Sequence, residues 1–297
     1  MEEEGGGKRE SRGEEKSRDM PAYPPRVRGE LEDLYRELDD IYRDLKRRLE
    51  KGEITAVENG FCSELQASDG ELPLLQPEDL DLPPDSVRET MLSVIAGLKQ
   101  VVEEDEREDL EEFAGSLVKG ELEIENLLYR YLQGEAQVRE DDDLNLSSGF
   151  FYRIMLFTIR PYISWLGEKA EADGRLADTW QQQSCPVCGA VPELSRLTHE
   201  QGKRILYCWL CGSEWRFERF TCPYCGESQA GGQKYFVVEN TPYRVDICQD
   251  CGDYIKVIDE RRVPEGKAEE LNWLINDLGT QHLDRLARKE GYGQKNM

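Results

Sequence analysis

Along this chain, apolar residues recur first at steps of three and four, then at steps of two, then at three and four again. From Gly29 onward Leu31, Leu34, Leu38, Ile41, Tyr42 and Leu45 mark one face of a helix in a charged background. A proline-bearing stretch follows from about Glu53 to Asp85, in which Glu71-Leu-Pro-Leu-Leu75 is an apolar patch expected to dock on the helices. Asp85 or Ser86 is placed to cap a helix carrying Met91, Val94, Ile95, Leu98 and Val101. A further helix or helix pair is expected from about Arg107 to Leu132. Ser147 or Ser148 should begin the most apolar helix, Gly149 to about Ala170, and Pro161 should kink or divide it. Its aromatic residues read as bundle core rather than cofactor contacts.

The period of two appears in Arg204–Tyr207, Glu214–Phe220, Lys234–Val238, Tyr243–Ile247 and Tyr254–Ile258, runs rich in β-branched and aromatic residues. After Pro264 a helical period returns, from Ala268 to about Lys289. The pattern predicts an α+β protein: an N-terminal all-α helical domain, two tandem small β modules and a C-terminal helix. The boundaries read as residues 1–25 for a charged, disordered tail and 26–181 for the helical domain. Modules follow at 182–216 and 217–263, and the C-terminal helix at 264–297, packing back on the rest.

Eight of the nine cysteines form four C-x-x-C pairs, and each second cysteine precedes a glycine. Two such pairs brought together by hairpins make a tetrahedral four-thiolate site. The glycine supplies a backbone position with positive φ or lets amide N–H groups approach the sulfur. Nineteen residues separate Cys188 from Cys208 and twenty-two separate Cys225 from Cys248, but only ten lie between Cys211 and Cys222. Neighbouring pairs therefore combine into two rubredoxin-like or zinc-ribbon modules of four cysteines each. Cys185, Cys188, Cys208 and Cys211 belong to the first, Cys222, Cys225, Cys248 and Cys251 to the second. A disulfide framework suits a short secreted chain, and this one has 297 residues, shows no secretory leader and leaves Cys62 over. A thioredoxin-like motif would open a helix after a strand, whereas these pairs lie in hairpins. Two metal ions per chain are expected, Fe or Zn, because four sulfurs suit both. His199 and His282 are not needed as ligands.

The formal net charge is −24, which disfavours a nucleic-acid binder. That charge lies outside the cysteine region: residues 181–263 carry eleven acids and ten bases. No run of eighteen apolar residues occurs, so neither a membrane nor secretion is expected, and abundant thiols point to a reducing cytoplasm. No P-loop, dinucleotide fingerprint, zincin motif or nucleophile elbow is present. A fully thiolate-ligated ion has no open position for substrate, so the chain is expected not to be an enzyme. An interaction or maturation factor, a zinc-ribbon regulator associated with nucleic acid and a rubredoxin-like electron carrier remain open; acidity argues against the second, the large helical domain against the third.

The runs Ser184–Gly189, Gly202–Gly212, Glu214–Cys222, Cys248–Lys256 and Asn276–Ala287 together resemble the formate dehydrogenase accessory protein family, FdhE. The resemblance implies a cytoplasmic, non-enzymatic maturation factor that binds the catalytic subunit of a molybdenum- or tungsten-dependent formate dehydrogenase, working beside a sulfurtransferase. It further implies iron in rubredoxin-like knuckles, carried here onto the eight paired cysteines. The ribbon module and adjoining helical face are expected to meet the client, with Trp215, Arg216 and Arg219 as contacts.

Overall fold

The computed structural model describes residues 29–54, 73–75, 80, 82–132, 146–174, 179–228, 234–263 and 273–293. The expectations for the N-terminal tail, Cys62 and most of the stretch between the first two helices lie outside these residues.

The helical body is built as its periodicity dictates. Helix α1 (Gly29–Glu50) buries Leu34, Leu38, Leu45 and Leu49 and leaves its charged face to water. Helix α2 (Pro84–Leu98) starts one to two residues before the expected serine or aspartate cap. Pro83 is its cap and Pro84 its first residue, where proline's missing N–H costs nothing. The pattern over 104–132 resolves into α3 (Glu104–Lys119) and α4 (Ile124–Leu132), with Gly120 closing α3 in a left-handed conformation. Helix α5 (Ser148–Ala172) begins at Ser147, whose hydroxyl accepts the Phe150 N–H. Pro161 lies inside α5 without dividing it; Pro161 to Ser164 are buried, so packing on both sides offsets the lost backbone bond. Phe151, Ile154, Met155, Ile159 and Tyr162 from α5 fill the core, as expected for bundle residues.

The six strands are β1 (Pro192–Leu197), β2 (Arg204–Cys208), β3 (Glu214–Phe217), β4 (Lys234–Val237), β5 (Tyr243–Ile247) and β6 (Tyr254–Asp259). They form one sheet in the order β3-β2-β1-β6-β5-β4. Each cysteine module contributes three antiparallel strands, and the two ribbons join edge to edge through β1 and β6, which run parallel with Leu194 opposite Lys256. This edge pairing could not be read from the repeat, because each ribbon's own alternation is satisfied with or without a neighbour.

The C-terminal helical period is split into α6 (Trp273–Gly279) and α7 (Gln281–Lys289). Between them Thr280 is buried and its hydroxyl returns to the Asn276 carbonyl. Lys256 on β6 anchors both helices, with Nζ 2.5 Å from Asp277 and 2.7 Å from Asp284. The described part of the apolar patch expected to dock on the bundle, residues 73–75, also straps the first cysteine module. The Leu74 and Leu75 N–H groups donate to the Pro186 and Val187 carbonyls at 2.9 and 2.7 Å, while the Leu75 side chain enters the common core.

Candidate metal centres

The four C-x-x-C-G turns have one construction. In each, the glycine N–H donates to the carbonyl of the first cysteine: Gly189 to Cys185, Gly212 to Cys208, Gly226 to Cys222 and Gly252 to Cys248, at 3.0 to 3.2 Å. The first cysteine's own N–H donates beyond the turn, to Ala190, Ser213, Glu227 and Asp253 respectively. The four glycines have φ of +73°, +80°, +75° and +80°, a conformation that disfavours any side chain. Held this way, peptide N–H groups point at sulfur: Val187 at Cys185, Ser213 at Cys211 and Tyr224 at Cys222, each 3.4 Å away.

The turns bring the cysteines together in the two sets expected from the gaps. In each set one sulfur from every residue lies within 4.8 Å of the others. Cys185 and Cys211 are 3.4 Å apart, Cys188 and Cys208 3.5 Å, Cys222 and Cys251 3.8 Å, Cys225 and Cys248 3.6 Å. A tetrahedron of sulfurs about 2.3 Å from its centre has edges of about 3.8 Å, so both sets fit a four-thiolate ion. None of the eight forms a disulfide.

Protonation argues in the same direction. Burial pushes the Cys185 thiol well up, and the other thiols of its set push Cys188 up. Burial acts to raise Cys211 too, but hydrogen bonds from Cys185, Cys188, Cys208 and Ser213 hold it well below the usual thiol range. In the second set burial raises Cys222 to about 11 and pushes Cys251 up, whereas the Cys251 and Asp250 N–H groups keep Cys248 low despite burial. Each set thus mixes thiols that resist ionising with one that ionises readily. A divalent cation would stabilise all four thiolates at once.

Each set also has an arginine behind it that the motif does not announce. Arg160 of α5 donates to the Trp209 carbonyl and the Tyr207 hydroxyl, and its charge faces Cys208 and Cys211. Arg204, fully buried, donates to the Thr221 carbonyl at 3.1 Å, and its charge faces Cys222. A divalent ion with four thiolates carries a net charge of about −2, which such guanidinium groups offset in a low-dielectric setting. The one sequence signal for Arg160 is a cation midway along the most apolar helix.

The two sets differ in cover. Cys185, Cys208 and Cys211 are buried, and Cys211 borders a cleft of about 540 Å³ between α1, α5 and Trp273. In the second set Cys225 is exposed and Cys251 half-buried. The expected contact residues separate as well. Arg216 is exposed and Arg219 half-buried, but Trp215 is buried, its indole N–H donating to the Gln182 carbonyl at 3.1 Å, so its ring packs the module. His199 and His282 stand in neither set.

A helical body fused to one sheet that carries two four-cysteine sites able to hold metal ions defines the class of this protein. Within that class, residues 184–219 match the sequence family described as FdhE, central domain. Proteins named FdhE from Escherichia coli O1:K1, Shigella boydii serotype 18 and Escherichia fergusonii are each 33% identical to the chain over 121 residues, which is 39% of this chain. The matched stretch spans 37% of the length of those relatives. The crystal structure of the FdhE protein from Pseudomonas aeruginosa shares the fold, with a TM-score of 0.61 over 90% of this chain and 93% of that one at 19% identity. The resemblance to the FdhE family therefore holds in sequence around the first cysteine set and in fold across most of the chain.

Proposed function

We propose that this protein is a cytoplasmic accessory factor that binds the catalytic subunit of a molybdenum- or tungsten-dependent formate dehydrogenase and assists its assembly or activation without turning over a substrate itself. The observation that carries this reading is the pair of all-cysteine sites set in an FdhE-like fold. Four thiolate donors leave a bound ion no vacant position, so such sites serve structure or electron storage rather than hydrolysis. No helix among the described residues is long and apolar enough to cross a membrane.

Iron or zinc held by Cys185, Cys188, Cys208 and Cys211, and by Cys222, Cys225, Cys248 and Cys251, would cross-link strands too short to hold their shape alone. The protein's own residues then present a fixed face. Arg216 projects from β3 on the face opposite the buried Trp215, and Arg219 lies just past the strand. A sulfurtransferase of the same maturation is the second partner in this reading.

The test uses the full, metal-loaded chain and the catalytic subunit prepared without its molybdenum or tungsten cofactor. Saturable binding is expected, weakened about tenfold or more by joint Arg216→Ala and Arg219→Ala substitution with metal content and circular dichroism unchanged. Unchanged affinity in that variant rejects this surface; no binding by the unsubstituted chain rejects the accessory reading itself.

A further inference from the structure

At the end of the sheet away from the helical body, three segments meet: the β1–β2 turn, the loop after β3 and the short 3-10 turn Glu260–Arg262 that ends β6. The β1–β2 turn is closed by Gly202, whose N–H donates to the Thr198 carbonyl and whose φ is +58°. A methyl group at Gly202 would lie 3.0 Å from Nη1 of Arg219 and 3.2 Å from Nη1 of Arg261. Two guanidinium groups from different segments therefore converge on one glycine, packed where a side chain would otherwise stand.

Their charges are not balanced. Arg261 commits Nε and Nη2 to Asp259, at 2.7 and 2.6 Å, which leaves Nη1 over the turn. Arg244 and Arg204 share a single carboxylate, Asp246, which lies 2.9 Å from Arg244 and 2.5 Å from Arg204. Arg219 has no carboxylate of its own among the described residues, and its buried Nε finds no acceptor. Burial, then the fields of Arg261 and Arg244, draw its pKa down from the usual arginine value. The nearby Glu260 is already engaged by Arg196 and by the His199 N–H. Among the described residues Arg219 thus stands beside Arg261 and Arg244 without a carboxylate of its own, and the Nη1 atoms of Arg219 and Arg261 both face Gly202.

Like charges held this close are unfavourable unless an anion joins them. We infer that Arg219 and Arg261, over Gly202 and backed by Arg244, form a binding site for a phosphate group. A phosphate group carries the opposite charge and offers separate oxygens to the two guanidinium groups. Arg219 also lies over the Phe220 ring, 5.3 Å from its centroid, and Arg244 over that of Tyr235 at 5.1 Å, which restrains both guanidinium planes. This inference does not rest on the accessory role.

Calorimetric titration of the full, metal-loaded chain with inorganic phosphate tests it, against acetate and chloride at matched ionic strength. Saturable phosphate binding is expected, weakened about tenfold or more in Arg219→Gln and in Arg261→Gln, and likewise in Gly202→Ala, whose methyl group would displace both guanidinium groups. Arg43→Gln, on the far helix α1, should bind as the unsubstituted chain does. Each variant is checked for its metal content and circular dichroism, and a variant that fails this check is replaced by Arg219→Lys, which keeps the charge but not the fork and should also bind less tightly. Heat no different from that of chloride, acetate binding as tight as phosphate, or undiminished binding in both glutamine variants would overturn the site.

Discussion

Positive φ at the glycine after each cysteine pair is a requirement of the turn itself, and its cost to a side chain can be separated from crowding. Around Gly252 a methyl group would meet nothing within 4 Å, so only the backbone resists it; at Gly189 it would also meet Pro73 of the strap at 3.1 Å. Gly252→Ala should cost about 1 kcal/mol and Gly189→Ala about twice that, read from denaturant unfolding with metal in excess. Lys256 makes a second case. Burial alone would lower its pKa, but Asp277 and Asp284 outweigh burial and raise it. A raised lysine pKa adds stability that is full below the unfolded value, about 10.4, and is lost as pH climbs through the folded value. Lys256→Met should therefore cost about 3 kcal/mol between pH 6 and 9, with the gap to the unsubstituted chain narrowing only in stronger alkali. The glycines were legible because a fixed spacing repeats four times in the sequence. Lys256 and Arg160 were not, because an isolated cation in an apolar run has a partner only once distant segments meet.

Elements were legible where one periodicity ran uninterrupted, and less so where a local exception interceded. Helices α1 and α5 lie where their apolar steps put them, α5 even retaining Pro161. The split between α6 and α7 escaped the pattern, since Thr280 bonds back to Asn276 without breaking the apolar spacing. The strap at residues 73–75 was recognised as an apolar patch, but its attachment is by backbone hydrogen bonds to the first cysteine module, which side-chain pattern cannot specify. That strap and the burial of three of its cysteines close the first site, while the second presents Cys225 to water. Exposure to a colorimetric chelator should accordingly release metal in two equal phases, the second slower by about tenfold or more. Leu75→Ala, which empties a position only 1% exposed, should cost about 3 kcal/mol and accelerate the slow phase alone. A single phase carrying all the metal would contradict the difference in cover.

At the scale of the whole molecule, the two cysteine sets occupy different places in the core. One continuous apolar cluster runs from Leu34 and Met91 through α5 into Leu206, Trp215 and Phe217 and includes Cys185, Cys208 and Cys211. A second cluster, on β5 and β6 with Trp273, Leu283 and Ala287, includes no cysteine, and neither cluster takes in the second set. The sequence presents the modules as equivalent repeats, because ligand spacing reports the ion each can hold and not what packs around it. Their loss should consequently be unequal. Replacing Cys185 and Cys211 by serine removes two ligands from within the shared core and should lower global stability by about 5 kcal/mol or more, with helix and sheet signals melting together at a lower temperature. Replacing Cys222 and Cys251 by serine should release one ion yet leave the helical transition within about 1 kcal/mol of its original position, the change confined to β4, β5 and the second pair of turns. Amide hydrogen exchange resolves the two cases: lost protection across α2 and α5 is expected only in the first variant. Equal loss of protection in both would mean that the sheet, joined through β1 and β6, transmits the second site's state to the helical body as strongly as the first.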